Sequence, residues 1–467
     1  MSNIKYYNRS FNDKRLGERA NSLQEAMNTR ETCVVQRLST ARSEQNAYYR
    51  FLNNERVRES ELIENMATRC NEQVIGRHVL SIQDTTEVNL TSHRSRLKQG
   101  SGIGPLGNSE CIGFFMHPSL VIDADMYHLL GFADVKIWNR PENNPDKFER
   151  NYQQLPIEEK ESYKWIESAR ASKQALQSAE LITVVEDREG DIYDQFVSIP
   201  DERTHLLVRS CQNRRTSSNV RLHEFIHSKN CTSKYELQIA GDIRNNRKGR
   251  VAEIEVRYGQ AQVKKPQGST NPHAPNELEL HMVEACEANP PKGEKPVIWR
   301  LITTHHIENH KQACQIVEWY KQRWQIEQVF RLLKQKGMGI ETSEMEQGWA
   351  IRKLTIMLLD TVLKIMQMHH SFHKEEDEMH QPAGAAFSKA EIECLKHINP
   401  KLEGYTEKQK NHDPPESMAW ASWIIARLGS WHGYKSQKPP GVYTFKRGLE
   451  RFLTMFEGWS LIPKHNN

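Results

Sequence analysis

Two aspartates at the ends of apolar segments are the first residues in the chain whose setting suggests chemistry. Asp84 closes the segment HVLSIQD and, by the two-residue period of a strand, shares a face with Leu80 and Ile82. Asp187 closes LITVVED in the same way, two residues after Val185. A carboxylate that continues an apolar face is costly unless it is paired, hydrogen-bonded or bound to a metal ion. Each aspartate taken alone is also consistent with a turn or a helix cap.

A third acid lies in a segment that predicts a helix, YKQRWQIEQVFRLLK. Four of its residues are spaced to share one face: Tyr320, Arg323, Glu327 and Lys334. The last three lie 3, 7 and 14 residues after the first, which on a continuous helix is a sector of about 60°. The arginine offers a bidentate fork to a phosphate and the lysine a point charge. The same spacing also fits a simple Arg–Glu salt bridge on a solvated helix.

Three carboxylates from two strands and one helix suit two-metal chemistry on a phosphodiester. Mg²⁺ prefers hard oxygen ligands, and paired ions about 3.5–4 Å apart share a carboxylate. One ion activates water or a sugar 3′-hydroxyl, and the other stabilises the leaving oxygen. We therefore expect two Mg²⁺ ions, for which Mn²⁺ can substitute, on Asp84, Asp187 and Glu327.

The elements that must position these residues predict a mixed α/β chain. Residues 1–70 contain no proline and have helical composition. Three alternating segments within 78–138, with turn-rich sequence between them, predict an antiparallel meander. A helix is expected at 157–178, followed by short buried strands at 181–187 and 205–210.

The second half of the chain changes from strands to helices. Residues 211–306 contain four short strand patterns separated by polar turns. The stretch 203–265 holds fourteen Lys and Arg against five Asp and Glu, a local excess that favours a polyanionic partner over a merely solvated sheet. One continuous helix is predicted over 310–337, another over about 345–371, and a helical tail from 391 onward.

Composition limits the classes of protein that fit. The 467 residues suffice for roughly three domains. Their 64 Lys and Arg against 60 Asp and Glu give a net charge of +4, which by itself does not indicate nucleic acid. No run of about eighteen apolar residues occurs, so no membrane partner is expected. The eight cysteines form no C-x-x-C pair, and the chain starts without an apolar segment, as expected of a cytoplasmic protein with reduced thiols.

The spacing Y-x(2)-R-x(3)-E-x(6)-K resembles the signature helix of bacterial DDE transposases of the insertion-sequence-four family. SIQDTT around Asp84 and VVEDREGDIYD around Asp187 are similar to the two strand aspartates of that family. Further similarity lies in DKRLGER, AYYRFLNN, NPPKGEKPVIWRL and RLGSWHGYKSQKPPG, so the likeness covers nearly the whole chain.

The resemblance implies an α/β fold with an RNase H-like mixed-sheet core, a β-rich insertion, and helical domains at both ends. Residues 1–70 would form a helical DNA end-binding domain. Residues 71–371 would form the catalytic domain, interrupted by a basic β-rich insertion at about 211–306. Residues 372–467 would form a helical dimerisation domain.

Roles for single residues also follow from the resemblance. Asp84, Asp187 and Glu327 would be the catalytic metal ligands, and Tyr320, Arg323 and Lys334 would hold phosphates at the DNA end. Trp299 would stack on a base flipped out of the duplex, although a strand tryptophan is also consistent with the core. The remaining expected DNA contacts are Lys14, Arg15 and Arg19 in the first helices and Arg209, Arg214 and Arg215 at the entrance of the insertion.

The implied activity is cut-and-paste DNA transposition. The enzyme would nick the element's end, form and open a hairpin, and join the 3′ ends to target DNA. Its partners would be double-stranded DNA, both the inverted-repeat ends and the target, and a second copy of the chain, in the bacterial cytoplasm near the nucleoid. Two alternatives remain at this point: a catalytically silent end-binding regulator, and an RNase H-like nuclease that cuts DNA without joining it.

Overall fold

One mixed sheet with helices on both faces organises the chain. The computed structural model describes residues 6–7, 11–30, 32–107, 110–141, 155–239, 248–334, 338–373, 380–434 and 437–461. Within these ranges the sheet has eleven strands. No helix in the same ranges is long and apolar enough to cross a bilayer.

The strands and helices alternate along the chain as follows. The strands are β1 (His78–Gln83), β2 (Thr86–Asn89), β3 (Gly104–Pro105), β4 (Ile112–Asp123), β5 (Leu129–Trp138), β6 (Leu181–Glu186), β7 (Thr204–Arg209), β8 (Ser233–Ile239), β9 (Arg250–Lys264), β10 (Glu277–Glu287) and β11 (Ile298–Thr303). The helices are α1 (Lys14–Arg30), α2 (Val35–Leu38), α3 (Arg42–Leu52), α4 (Glu59–Gln73), α5 (Tyr163–Ala175), α6 (Tyr193–Ser198), α7 (Leu222–His227), α8 (His310–Lys321), α9 (Trp324–Lys334), α10 (Gly348–Phe372), α11 (Lys389–Leu402), α12 (Met418–Leu428) and α13 (Val442–Leu461).

Five strands form the core of the sheet in the order β5–β4–β1–β6–β7. β4 is antiparallel to both β5 and β1, so the predicted meander is confirmed. β1, β6 and β7 run parallel to one another. Their sequences are nearly continuous in apolar residues because helices cover both of their faces.

A proline breaks the first predicted strand where the chemistry begins. We expected Asp84 inside a single strand, but β1 ends one residue before it and β2 starts two residues after it. The register of both pieces against β4 is continuous across this gap and places Asp84 opposite Pro118. Proline has no N–H to donate to the ladder, so the strand is interrupted there. The expectation for Asp84 is therefore wrong by one position, and the residue lies between β1 and β2, outside the paired residues of either strand.

The two faces of the sheet carry different helices. Alternate residues of each strand enter different apolar clusters, as Val185 and its neighbour Val184 do in β6. The first face is covered by α8, α9 and α10, and we call it the α8–α9 face. The second is covered by α5, α6 and α7, and we call it the α5–α7 face. Side chains at the strand ends thus belong to one face or the other by parity.

The segment predicted as a β-rich insertion adds four strands to the same sheet. Beyond β7 the order continues β11–β10–β9–β8, and all these pairings are antiparallel. The short helix α7 packs on β9 and β10. The predicted β-rich character of 211–306 is confirmed, and its strands extend the core sheet instead of forming a separate one.

The helices of both chain ends pack around α10. This helix contacts α1, α3 and α4 from the N-terminal part and α12 and α13 from the C-terminal part. Two ion pairs tie α10 to its neighbours: Arg69 of α4 pairs with Asp360 at 2.7 Å, and Glu391 of α11 pairs with Lys364 at 3.4 Å. Asp360, Lys364 and Glu391 are almost fully buried, so each charge needs its partner in place. The predicted helical character of both ends is confirmed within the described residues.

The continuous helix predicted over 310–337 is interrupted. α8 ends at Lys321 and α9 starts at Trp324, with residues 335–337 outside the described ranges. Between them the backbone tightens to three-residue hydrogen bonds, including one from the Arg323 N–H to the Tyr320 carbonyl at 3.0 Å. The predicted continuous helix is therefore wrong at this point, where a tighter turn separates α8 from α9.

Three neutral histidines meet at the edge where β1, β6 and β7 begin. The Thr183 hydroxyl lies 2.8 Å from Nε2 of His78 and 2.7 Å from Nε2 of His305. The ring of His205 stacks on that of His305 with centroids 4.0 Å apart. Burial lowers the pKa of His78 to about 4 and that of His305 to about 2, and it also lowers the pKa of His205.

We expect this cluster to make the fold acid-sensitive. The folded-state pKa values lie below the unfolded value of about 6.5, so the unfolded chain takes up protons first and stability is lost as pH falls. Between about pH 7 and about pH 5, His305→Gln should remove on the order of 2 kcal/mol of that loss. Urea unfolding followed by tryptophan fluorescence measures it. His432→Gln, at an exposed position, should leave the pH dependence unchanged; an equal effect of both substitutions would contradict the assignment.

Candidate active site

The strand register places two acids and one arginine in a row. Ile82 pairs with Val185 in the parallel β1–β6 ladder, so two residues later Asp84 lies level with Asp187. The β6–β7 ladder continues in the same way and brings Arg209 level with Asp187. By parity both aspartates belong to the α8–α9 face. The carboxyl ends of three parallel strands thus present their polar side chains to α8 and α9.

Side chains from the α8–α9 turn contact both aspartates. Nη1 of Arg323 donates to Oδ2 of Asp84 at 3.2 Å, and Nη2 donates to Oε1 of Glu327 at 2.6 Å. The Tyr320 hydroxyl donates to Oδ1 of Asp187 at 3.2 Å. Arg209 completes the arrangement with Nη1 at 4.0 Å from the same oxygen of Asp187. One buried guanidinium therefore links Asp84 to Glu327, and one buried phenol from the same turn binds Asp187.

Burial and the neighbouring carboxylates change the pKa of Asp84. Burial raises the pKa of Asp84 to about 6, and the negative charges of Asp187 and Glu327 act in the same direction. The Thr85 N–H, at 2.8 Å from Oδ1, and the Arg323 guanidinium oppose that rise. Burial and the Asp187 carboxylate also raise the pKa of Tyr320, which keeps the phenol protonated as a donor. The site is a partly desolvated cluster of negative charge that a cation stabilises.

An aromatic side chain borders the cluster. Trp299 is half-buried on β11, on the α8–α9 face, and its ring lies edge-on to that of Tyr320 with centroids 5.9 Å apart. A half-exposed indole beside the acids offers a surface on which a planar ring can stack.

Lys334 lies apart from the acids. It is seven residues after Glu327 in α9, about 10 Å along the helix axis. Burial lowers its pKa, and the charges that offset this effect are those of Glu341 and Glu87. The structure thus brings Tyr320 and Arg323 to the acids, while Lys334 lies beside a different pair of carboxylates.

Two of the predicted DNA contacts in the insertion differ in exposure. Arg214 forms a buried ion pair with Asp191, and its Nη2 donates to the Asp191 carbonyl at 2.7 Å. Its guanidinium is therefore committed to holding the 188–191 and 211–214 loops together. Arg215 is exposed.

The predicted contacts in the first helix lie at the surface. Lys14 and Arg15 have side chains about nine-tenths exposed, at 91% and 90%. The Arg19 guanidinium lies over the Tyr48 ring at 6.0 Å. Lys14 lies 3.6 Å from a Glu18 oxygen and Arg15 lies 3.7 Å from an Asp13 oxygen, and their role in DNA binding stays a prediction.

Some residues that shape the site carried no catalytic signal in the sequence. Thr85 donates its N–H to Asp84, and its hydroxyl lies 2.9 Å from Nδ1 of His117. His117 is fully buried, stacks edge-on against Trp165, and has a pKa lowered by burial, which agrees with a structural role. Pro118 was visible as a proline inside a strand pattern, which is the signal that predicts a break in a ladder.

The donor set is suited to a hard divalent cation. Carboxylate oxygens are the ligands that Mg²⁺ and Mn²⁺ prefer, and burial of Asp84 makes a nearby positive charge favourable. Among the described residues no three His, Cys, Asp or Glu side chains stand close enough to hold a metal ion as they are. The Arg323 guanidinium bridges two of the carboxylates, Asp84 and Glu327. A metal ion that bound both of them would have to replace it there.

Comparison with known proteins agrees with this geometry. Residues 165–359, less than half of the chain, match the family described as the transposase DDE domain. The match includes Asp187, Tyr320, Arg323 and Glu327 and supports a DDE transposase family for this chain. Among solved structures, the cryo-EM structure of piggyBac transposase in a synaptic complex with hairpin DNA matches with a TM-score of 0.39 and 8% identity, covering 97% of this chain and 74% of that one. A likeness at that score carries no weight for fold or activity.

Removing the bridging guanidinium should leave carboxylates without a counter-charge. We expect Arg323→Gln to lower the free energy of unfolding by about 1–3 kcal/mol, since a partly buried charge loses its partner. Millimolar Mg²⁺ should restore part of the loss, because the cation replaces the guanidinium. Thermal unfolding with and without Mg²⁺ measures both effects.

The control for this test is on the neighbouring helix. Lys311→Gln removes an exposed cation from α8 and should change neither stability nor the response to Mg²⁺ beyond a few tenths of a kcal/mol. A loss in Arg323→Gln that Mg²⁺ leaves untouched would show that the carboxylates do not form one cation site.

Proposed function

We propose that this chain is a cut-and-paste DNA transposase of the DDE type, similar to those of the insertion-sequence-four family. One observation carries the proposal: Arg323 binds Asp84 and Glu327, and Tyr320, three residues before it, binds Asp187, inside and beside a region that matches a transposase DDE domain. A structural salt bridge would not require three acids from three separate elements to share one partly desolvated cleft.

The topology of the sheet supports an RNase H-like core. Across the sheet, the antiparallel strands β5 and β4 lie beside three parallel strands, β1, β6 and β7. The two aspartates, Asp84 and Asp187, follow the carboxyl ends of β1 and β6. In this arrangement the catalytic aspartates are held by the most deeply buried part of the sheet. Their separation is then set by the spacing of neighbouring strands, about 4.8 Å.

Asp84, Asp187 and Glu327 would hold two divalent metal ions, Mg²⁺ or Mn²⁺. Bound there, the ions would supply activation of the attacking oxygen and stabilisation of the leaving one. When Arg323 releases the carboxylates, its guanidinium becomes available to a phosphate oxygen, for which its fork is suited. Tyr320 and Arg209, which both lie beside Asp187, would donate to oxygens of the same phosphodiester.

Each reaction step would be an in-line substitution at phosphorus. Water attacks a phosphodiester at the element's end and releases a 3′-hydroxyl. That hydroxyl attacks the opposite strand, which yields a hairpin and frees the flanking DNA. Water opens the hairpin, and the regenerated 3′-hydroxyl then attacks target DNA. Every step breaks one P–O bond and forms another, so one site serves all four.

The substrates follow from this scheme. They are double-stranded DNA with inverted repeats at the element's ends and a target duplex. Two ends must be processed together, so a homodimer with one active site for each end is the expected assembly. The exposed Lys14 and Arg15 of α1 are the proposed contacts to the repeat sequence, and Trp299 the proposed platform for a flipped base.

Loss of any acid should abolish DNA cleavage. With Mg²⁺ and a duplex carrying the inverted repeat that flanks the gene, Asp84→Ala, Asp187→Ala and Glu327→Ala should each reduce cleavage at least about a thousandfold, because each removes a metal ligand. A gel assay of strand nicking measures this. Full cleavage by any of the three variants would refute the assignment of that acid.

The same assay distinguishes the other two functions. A wild-type chain that binds the repeat but does not cut it with Mg²⁺ or Mn²⁺ would be an end-binding regulator. A chain that cuts but fails to join pre-cut ends to a target plasmid would be a nuclease. Either result would overturn the transposase proposal.

Trp299 should matter for the hairpin and not for the first cut. Trp299→Ala removes the stacking surface, so nicking should persist while hairpin formation falls, by about tenfold or more for a stacking loss of 1–3 kcal/mol. Trp299→Phe keeps an aromatic ring and should retain most of the hairpin. Equal loss of nicking and of hairpin formation in Trp299→Ala would show that the indole only packs in the core and does not stack on a base.

A further inference from the structure

Side chains close the gap that Pro118 leaves in the sheet. The register places Thr85 opposite His117, just as it places Asp84 opposite Pro118. Neither Asp84 nor Thr85 belongs to β1 or β2, so the ladder does not hold the backbone at these two positions. The Thr85 hydroxyl lies 2.9 Å from Nδ1 of His117, and this contact spans the gap. A side-chain hydrogen bond thus stands where the backbone pairing is interrupted.

His117 is held from its other side by helix α5. Its ring is fully buried and packs edge-on against Trp165, with centroids 4.6 Å apart. Nε2 lies 3.3 Å from the Gln83 side-chain amide. That amide is satisfied with its nitrogen toward His117 and the Trp165 carbonyl, 3.3 Å from each, and its oxygen toward the Ala169 N–H at 3.0 Å. Gln83 therefore fastens the ring to two backbone groups of one helical turn.

These contacts decide which nitrogen of His117 carries the proton. Burial lowers the pKa of His117 well below its usual value, so the ring is neutral. Nε2 accepts a hydrogen bond from the Gln83 amide, and a neutral imidazole then carries its one N–H hydrogen on Nδ1. Nδ1 consequently donates to the Thr85 hydroxyl oxygen. The donor is thus directed from the core toward Thr85.

Thr85 passes this restraint to the first acid. Its N–H donates to Oδ1 of Asp84 at 2.8 Å, while Nη1 of Arg323 donates to Oδ2. A metal ion that replaced Arg323 would leave the Thr85 N–H as the group that orients the carboxylate. An apolar ring would fill the site of His117 without a polar atom to satisfy, so packing alone does not account for the histidine.

We propose that His117 is a positioning residue: through Thr85 it fixes the direction of the Asp84 carboxylate. The proposal rests on the proposed function for the role of Asp84 as a metal ligand. Groups that hydrogen-bond to a metal ligand set its orientation, and their loss commonly weakens metal binding about 10–100-fold. His117 acts one step further out, because it restrains the residue whose N–H contacts the ligand.

Substitutions at Thr85 test this contact outside the core. Thr85 is half-buried, and valine has nearly the same shape without the hydroxyl. Mn²⁺ binding to the full chain without DNA is measured from the free-ion signal in electron paramagnetic resonance, and the Mg²⁺ dependence of nicking is measured on the inverted-repeat duplex. Thr85→Val should weaken Mn²⁺ binding about tenfold and raise the Mg²⁺ concentration for half-maximal nicking by a similar factor. Thr85→Ser keeps the hydroxyl and should retain nearly wild-type values.

Two amides at position 117 separate the roles of the two ring nitrogens. An asparagine side chain places its nitrogen near the position of Nδ1, and a glutamine side chain near that of Nε2. Both leave space in the core, so both should lower thermal stability. His117→Asn should nevertheless keep Mn²⁺ affinity near the wild-type value, whereas His117→Gln should weaken it about tenfold. A role in packing alone predicts equal losses of affinity, and that outcome would contradict the proposal.

Ser119→Ala is the matched control. Ser119 is fully buried, lies two residues after His117 on the same strand face, and has a hydroxyl without a hydrogen-bond partner in the described part of the chain. Its removal should change neither Mn²⁺ affinity nor the Mg²⁺ dependence of nicking. Wild-type binding in Thr85→Val, an equal loss in Ser119→Ala, or no Mn²⁺ binding by the wild-type chain would each overturn the proposal.

The two measurements also separate this proposal from the proposed function. If the wild-type chain cuts inverted-repeat DNA and Thr85→Val binds Mn²⁺ and cuts normally, only the role of His117 is wrong. If Mn²⁺ binds the wild-type chain and binds Thr85→Val more weakly, but neither chain cuts, the positioning role stands and the transposase activity fails.

Discussion

Mutual repulsion of three carboxylates is the constraint around which this protein is built. Asp84, Asp187 and Glu327 share a partly desolvated cleft, and their charges raise the pKa of Asp84 to about 6 together with burial. Without a cation such a cluster opposes folding. The chain supplies one from within, since Arg323 donates to two of the acids. The resting protein is thus stabilised by the same positive charge that a metal ion would bring.

The sheet fixes where this repulsion is concentrated. Parallel pairing of β1, β6 and β7 sets Asp84, Asp187 and Arg209 at one level, and Pro118 interrupts the ladder beside Asp84. Because the proline cannot donate a hydrogen bond, the backbone after β1 is released where the first acid is needed. The Thr85 N–H then turns toward that acid. The register of the three parallel strands therefore sets the relative positions of Asp84, Asp187 and Arg209.

The sequence predicted the parts of this arrangement that depend on local pattern. Alternation located the strands, and apolar runs ending in carboxylates located Asp84 and Asp187. The break between α8 and α9 was missed because no glycine or proline marks it; the Arg323 side chain at this break contacts Asp84, which lies far away in the chain. The burial of Arg214 was also missed, since its partner Asp191 lies across β7, 23 residues earlier. Lys334 shows the same limit, because helical spacing alone does not say which carboxylates a lysine meets.

The packing of both chain ends on α10 has a consequence for how this architecture can be divided. α1, α3 and α4 share that helix with α12 and α13, and two ion pairs, Arg69–Asp360 and Glu59–Arg352, join α4 to α10. The first seventy residues are therefore not an interchangeable adaptor. Grafting them onto a relative would carry over Arg69 and Glu59 without these partners, and a change of recognition specificity would have to be accompanied by compensating substitutions along α10.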